Sequence, residues 1–126
     1  MDETKSERSG SGLIAAQNCP EQLADETALD AFRQHNSVAL VEFYTNNCGI
    51  CQSMEPVIGT VAQALNLSVG LLNPRDDPTL VNRFQIQRIP LLVLFVDGDP
   101  VGRRDDGFVS GNELTEWLRE KTDRQL

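Results

Sequence analysis

Apolar segments of strand length alternate with amphipathic segments of helix length along most of this 126-residue chain. Two runs, 38–44 and Leu91–Val96, are almost continuously apolar, which is typical of strands buried on both faces. Between them, apolar residues in 51–65 recur at helical spacing, with Pro56 expected to kink the helix. The order β-α-β-α-β-α-β-β-α from about residue 21 predicts an α/β fold, with a central mixed β-sheet flanked by helices on both faces.

Local signals indicate where several of these elements begin. Asp25 is suited to cap the first helix, and Asp77, followed by a proline, is suited to cap a later one. The Asp97-Gly98 pair predicts a hairpin turn, so the strand after it is expected to run antiparallel. Ser110 is followed three residues later by a glutamate, which is the spacing of a capping box that opens the last helix.

The first residues differ in character from the rest of the chain. Residues 1–20 are mostly polar and include the flexible run Ser-Gly-Ser-Gly, so they are predicted to form a flexible tail, with the folded domain in residues 21–126. The polar start lacks the basic-then-apolar pattern of a secretory signal, and no apolar run approaches the roughly 20 residues that span a bilayer. We therefore expect a cytoplasmic protein.

Acidic residues outnumber basic ones by 19 to 11, which gives a net charge of −8. A surface of this sign repels phosphate groups, so nucleic acid and anionic membranes are poor candidate partners. Acidity favours solubility in any cell and is also common in proteins of a salt-rich cytoplasm, as in halophiles. The sequence leaves both explanations open.

The cysteines indicate redox chemistry. The chain has three, Cys19, Cys48 and Cys51, and an odd, small number does not describe a disulfide scaffold. Cys48 and Cys51 form a C-x-x-C pair that follows a buried strand and opens a helix. Unpaired N–H groups and the helix dipole stabilise an anion there, so the pKa of the Cys48 thiol is expected to be lowered. We predict that Cys48 attacks a substrate disulfide and that Cys51, one turn later, resolves the mixed disulfide.

A C-x-x-C pair can also be half of a zinc site. Zinc usually takes four ligands, and only Cys19 and His35 remain as candidates, which makes this the weaker explanation. His35 is more simply the polar end of the first helix. Cys19 is either incidental or the thiol of a regulatory or intermolecular disulfide.

Glu42 is a carboxylate within the apolar run 38–44, six residues before Cys48. Burial would raise its pKa by disfavouring the charged form, and a carboxyl group tuned in this way can accept or return the proton of Cys51. The alternative is that Glu42 points to solvent from an edge strand.

Pro90 directly precedes the strand Leu91–Val96, where a proline is tolerated.

Several separated motifs resemble the thioredoxin family over about residues 21–120. They are the run 38–44, the C-x-x-C pair with Pro56, the run 88–98, and Gly107 before the last helix. The resemblance implies the thioredoxin fold, with a cis-proline at Pro90 before the buried strand Leu91–Val96. It also implies a groove that binds extended peptides through backbone hydrogen bonds. The groove would be lined by Gly49, Ile50, Ile89, Pro90, Gly107 and Phe108.

The resemblance implies a thiol–disulfide oxidoreductase that reduces protein disulfides and needs no metal or organic cofactor. A thioredoxin-reductase-like donor would restore the dithiol, and we expect a monomer. Two alternatives remain: an oxidase or isomerase with the same chemistry, and a non-catalytic binding or chaperone module on the same fold.

Some positions depart from the usual pattern of the family. Gly49-Ile50 stands where Gly-Pro is usual, and Asn47 stands where a tryptophan usually precedes the first cysteine. Glu42 replaces a buried aspartate, and Leu71 stands at about the place of a frequent lysine. The redox poise and the detail of proton transfer therefore do not carry over from the family.

Overall fold

The computed structural model describes residues 19–122, which contain five strands, four α-helices and one turn of 3-10 helix. Their bounds are β1 (Glu21–Leu23), α1 (Glu26–His35), β2 (Val38–Phe43), α2 (Gly49–Leu65), β3 (Ser68–Leu72), the 3-10 turn (Pro74–Asp76), α3 (Thr79–Arg83), β4 (Leu91–Val96), β5 (Asp99–Arg104) and α4 (Gly111–Thr122). The predicted tail, residues 1–20, lies outside the described residues except for its last two.

The five strands form one mixed sheet in the order β1-β3-β2-β4-β5. The pairs β1–β3 and β3–β2 are parallel, whereas β4 runs antiparallel to both β2 and β5. The predicted mixed sheet is confirmed, as is the antiparallel strand after the Asp97-Gly98 turn. Since β2 lies in the middle of the sheet, each of its residues from Ala39 to Phe43 has a register partner on both sides.

All six residues of β2 are buried, and they alternate between two core layers. Val38 and Leu40 pack with α2 and α4, while Ala39, Val41 and Phe43 pack with α1 and α3 on the opposite face. Full burial of one large apolar side chain contributes about 1.5–3 kcal/mol, so both layers stabilise the strand that leads to the cysteines.

Within residues 19–122, no helix combines the length and apolar character that crossing a bilayer requires.

The predicted cap of the first helix is confirmed, because the Asp25 carboxylate accepts a hydrogen bond from the N–H of Ala28 at 2.9 Å. The capping box at Ser110 is only half formed. The N–H of Glu113 donates to Ser110 Oγ at 3.2 Å, but the Glu113 carboxylate is bound by Arg104 at 2.6 Å instead of returning to the cap.

The prediction that Asp77 caps its own helix is wrong. Its carboxylate accepts one hydrogen bond from the Thr79 hydroxyl at 2.6 Å and another from the backbone N–H of Glu26 at 2.9 Å. Asp77 therefore satisfies an unpaired N–H at the start of α1 and links that helix to the loop before α3.

Candidate functional site

The C-x-x-C pair lies where β2 gives way to α2, as the sequence predicts. Cys48 is the N-cap of α2, and its Sγ accepts a hydrogen bond from the backbone N–H of Cys51 at 3.1 Å. That N–H is one of those that a helix leaves unpaired at its start. Cys48 is half-buried and Cys51 is completely buried, so Cys48 is the more accessible of the two cysteines.

Cys48 and Cys51 are joined by a disulfide bond, with their Cα atoms 5.3 Å apart. This separation is in the usual range for a disulfide. When the bond is reduced, the Cys48 sulfur lies at the positive end of a 17-residue helix, which stabilises a thiolate. The arrangement can therefore alternate between a disulfide and a dithiol without a change of fold.

Glu42 is fully buried in β2. The alternative that it points to solvent from an edge strand is wrong, because β2 is a central strand. Its side chain lies on the face of the sheet that α2 covers, and neither carboxylate oxygen has a hydrogen-bond partner within residues 19–122. Loss of hydration raises the pKa of Glu42 to about 8, and the negative charge of Glu55 adds to the effect.

The strands beside Glu42 provide no cation at that level of the sheet. Its register partners are Leu71 on β3 and Leu92 on β4, both apolar. Leu71 is the residue that stands where the family often has a lysine. Without a neighbouring cation, the protonated form of Glu42 is favoured.

Pro90 is buried immediately before β4, and the peptide bond that joins it to Ile89 is cis. Leu91 is the register partner of Phe43, the last residue of β2. Since the C-x-x-C loop follows β2, Pro90 lies at the same end of the sheet as the cysteines.

The other groove residues are partly or largely accessible. Ile50 is 47% exposed and Phe108 is 55% exposed, which leaves two large apolar side chains on the surface. Gly49 is exposed, while Ile89 and Gly107 are half-buried. Gly107 has a φ of 91°, a conformation that favours glycine and that turns the chain after β5.

Met54 holds the segment after Gly107 against α2, a contact that the sequence analysis does not identify. The buried backbone N–H of Val109 donates a hydrogen bond to Met54 Sδ at 3.2 Å. Met54 lies three residues after Cys51, so one turn of helix connects the cysteines to the loop that carries Phe108. Helical spacing from Cys51 indicates residues 54 and 55 as neighbours, but it does not indicate a partner 55 residues away.

We predict that removal of the Met54 sulfur weakens the use of protein substrates but not of small ones. Norleucine has the shape of methionine with a methylene in place of sulfur, and the chain contains only Met54 and Met1. Loss of the acceptor leaves the Val109 N–H unpaired, and we expect the KM for insulin to rise about two- to tenfold. The kcat/KM for a small aromatic disulfide should stay the same.

The control for norleucine is selenomethionine, which keeps an acceptor atom at the same place. Selenomethionine protein should match the normal protein with both substrates. An unchanged KM for insulin in the norleucine protein, or an equal loss with the small disulfide, would show that the Met54–Val109 contact has no role in substrate binding.

The two candidates for additional zinc ligands, Cys19 and His35, belong to other parts of the fold than the C-x-x-C pair. Cys19 is exposed before β1, and His35 ends α1, with its Nδ1 2.8 Å from the carbonyl oxygen of Ala31. Within residues 19–122, no three or more His, Cys, Asp or Glu side chains are grouped to hold a metal ion. His35 is thus the polar end of a helix.

Comparison with known proteins agrees with this geometry. The family model for thioredoxin matches residues 20–120. The thioredoxin of Mycobacterium tuberculosis strain H37Rv is 36% identical over 90 residues, which cover 70% of this chain and 74% of that protein. The chloroplastic thioredoxin Y2 of Arabidopsis thaliana is 33% identical over 91 residues, which cover 71% of this chain but only 54% of that relative. This chain therefore spans about half the length of thioredoxin Y2.

A solved structure has the same arrangement of elements. A mutant thioredoxin from Halobacterium salinarum NRC-1 superposes with a TM-score of 0.79 at 28% sequence identity, covering 87% of this chain and 96% of the other. The predicted thioredoxin fold is confirmed. With the family match, the relatives and a bonded cysteine pair at the start of α2, the chain belongs to the thioredoxin family of thiol–disulfide oxidoreductases.

Proposed function

We propose that this chain reduces disulfide bonds in protein substrates, with Cys48 as the nucleophile and Cys51 as the resolving thiol. The observation that carries the proposal is the difference in accessibility between the two sulfurs. Cys48 is half-buried at the N-cap of α2, where a thiolate is stabilised, while Cys51 is 0% exposed one turn later. A protein disulfide in solution can reach only the first sulfur.

The reaction runs in two exchanges. The Cys48 thiolate attacks one sulfur of the substrate disulfide, a mixed disulfide forms, and the other substrate sulfur leaves as a thiolate. Cys51 then loses its proton and attacks the Cys48 sulfur, which releases the second substrate sulfur and forms the Cys48–Cys51 disulfide. Two electrons have passed to the substrate, and a thioredoxin-reductase-like donor must return two to restore the dithiol.

Glu42 is the proposed acceptor of the Cys51 proton. Its carboxylate is buried on the sheet face that α2 covers, and Cys51 is on the buried side of α2. With a pKa of about 8, Glu42 can both accept and return a proton near neutral pH. No hydrogen bond from residues 19–122 holds its oxygens, so neither protonation state is fixed by a competing partner.

The proposed substrate groove is the surface around Cys48 that is formed by Gly49, Ile50, Ile89, Pro90, Gly107 and Phe108. The two exposed apolar side chains, Ile50 and Phe108, provide the kind of surface that marks an interaction site. The domain is proposed to act as a monomer, and a cytoplasmic location stays part of the proposal.

The oxidase and isomerase alternatives use the same residues and differ in which form of the dithiol is more stable. The direction therefore depends on the reduction potential rather than on a further catalytic group. On β3 the register partner of Glu42 is the apolar Leu71, so no cation from that position stabilises the charged form of Glu42, and the reduction potential is to be measured on this chain itself.

We predict that Cys51→Ser traps the mixed disulfide. The first exchange needs only Cys48, whereas release of the substrate needs the missing thiol, so a covalent complex with insulin whose disulfides are initially intact should accumulate. Mass spectrometry of the peptides should locate the bond at Cys48.

The matched variant is Cys48→Ser, which keeps Cys51 and should give less than about one tenth of the complex, because the remaining thiol of the C-x-x-C pair is buried. A complex formed through Cys19, or equal yields from the two variants, would contradict the assigned roles.

A further inference from the structure

A second concave surface lies on the face of the sheet that α2 does not cover. A cleft of about 500 Å³ is formed by the β4–β5 hairpin together with α1 and α3. Its floor includes Val93 and Phe95, which belong to the core layer on the side of the sheet that α2 does not cover. Phe95 is the register partner of Ala39, near the start of β2, whereas the cysteines follow the end of β2. The cleft thus opens on the face of the sheet that α2 does not cover, and it reaches from Phe95 to Phe84, whose ring centroid lies 5.3 Å from that of Phe43 at the end of β2.

Three arginines, Arg33, Arg83 and Arg103, line this cleft. Arg33 is paired with Asp30 at 2.8 Å, and Arg83 is paired with Glu26 at 2.7 Å and with Asp30 at 2.8 Å. Arg103 has no carboxylate partner within residues 19–122. Three cations face two carboxylates, so the cleft has a local positive excess on a chain whose net charge is −8.

Two backbone carbonyl groups hold the Arg103 guanidinium in place and leave some of its N–H donors unused. Its Nη1 donates to the carbonyl oxygen of Phe84 at 2.7 Å, and its Nη2 donates to that of Gln85 at 3.3 Å. A guanidinium has five N–H donors in a planar fork, so donors remain after both carbonyls are satisfied. Arg103 is therefore held in place and can still bind a carboxylate.

Apolar surface adjoins the cations. Phe84 is half-buried with the Arg83 guanidinium 5.1 Å above its ring, and Val101 is 40% exposed. The volume is within the range of about 300–1,000 Å³ that is usual for binding sites. Val101 and Arg103 belong to β5, which within residues 19–122 pairs with β4 alone and forms one edge of the sheet. An extended segment can lie along such an edge and place side chains in the cleft.

We propose that this cleft binds an extended segment of a partner protein in which a carboxylate and a large apolar side chain are two residues apart and so share one face of the segment. The carboxylate pairs with Arg103, and the apolar side chain packs on Phe84 and Val101. Because the lining of the cleft includes neither cysteine and none of the proposed groove residues, a segment bound there leaves the dithiol accessible. The proposal concerns a docking site and does not depend on the redox roles assigned above.

An NMR titration of the full-length, 15N-labelled chain tests this proposal. The probe is a blocked hexapeptide of sequence Leu-Ser-Glu-Ser-Leu-Ser, which places glutamate and leucine on one face of an extended segment. The amides of Phe84, Val101 and Arg103 should shift saturably while those of Cys48 and Cys51 stay still. Arg103→Ala should raise the Kd about tenfold, since a charge-assisted hydrogen bond is lost. Arg103→Gln keeps a donor for the carbonyl groups and should raise the Kd by a similar factor. It takes the place of Arg103→Ala in the titration if that variant is unstable.

Two controls separate the proposal from trivial binding. Arg75→Ala removes an exposed arginine outside the cleft and should leave the Kd unchanged. A peptide with glutamine in place of glutamate should bind at least about tenfold more weakly. Equal binding of the glutamine peptide, shifts centred on Cys48, or the same shifts on concentrating the protein without peptide would each overturn the proposal.

Discussion

Replacement of Cys48 by serine should abolish disulfide reduction. A serine oxygen cannot form a disulfide, so the first exchange has no product and no electrons leave the protein. We expect the rate of insulin reduction, measured with dithiothreitol as the electron source, to fall about 1,000-fold or more, to the level of the uncatalysed reaction. Because Cys51 is 0% exposed, its remaining thiol should not substitute for the lost one.

Cys19→Ser is the matched control for this loss. Cys19 is an exposed residue before β1, so its replacement should leave the rate within about twofold of the original. Circular dichroism melts of the Cys48→Ser protein would show that the fold is intact. Substantial insulin reduction by a folded Cys48→Ser protein, or an equal loss with Cys19→Ser, would refute the nucleophile assigned here.

The parts of the fold that depend on local patterns could be predicted from the sequence. The apolar runs predict β2 and β4, Asp25 predicts the start of α1, and Asp97-Gly98 predicts the turn into β5. Asp77 and Glu113 show where local reasoning fails, because each binds a partner from another element. The N–H that Asp77 accepts lies 51 residues earlier in the chain, and no window of sequence contains both.

The residues of the candidate site divide into those that a local pattern predicts and those that depend on strand order or on distant contacts. The positions of Cys48 and Cys51 follow from one strand-to-helix junction and could be predicted. The burial of Glu42 depends on β2 being central, which is a property of strand order rather than of the strand itself. The Met54–Val109 contact and the arginine-lined cleft depend on contacts between distant elements, so neither periodicity nor a motif indicates them.

Glu42 should make the protein less stable as the pH rises from about 4.5 to 8. The pKa of Glu42 is about 8 in the folded protein and 4.5 in its ordinary state, so the folded protein holds this proton more tightly than the unfolded chain does. The resulting stabilisation is complete below the unfolded value and is lost as the pH passes through the folded one. The free energy of unfolding should fall by about 1.4 kcal/mol per pH unit, or roughly 5 kcal/mol in total.

Few other groups titrate in this range with a shift that would imitate the effect. The pKa values of Asp30, Asp77 and Asp106 are lowered, by hydrogen bonds to Arg83, Thr79 and Arg104 respectively, so these carboxylates lose their protons below pH 4.5 in either state. Their contribution to stability is constant above that pH. The slope between pH 5 and 8 therefore reports mainly on Glu42.

The variant Glu42→Gln keeps the shape of the side chain and cannot ionise, so its unfolding free energy should be nearly constant from pH 5 to 8. It should be similar to the original at pH 5 and more stable by several kcal/mol at pH 8. Urea unfolding of the oxidised protein at unit pH steps measures both. Glu116→Gln changes an exposed carboxylate on α4 and should keep the original slope. If the slope persisted in Glu42→Gln, another group would be its cause, and Glu42 would have its ordinary pKa in the original protein. A carboxyl group with an ordinary pKa could not exchange protons with Cys51 near neutral pH.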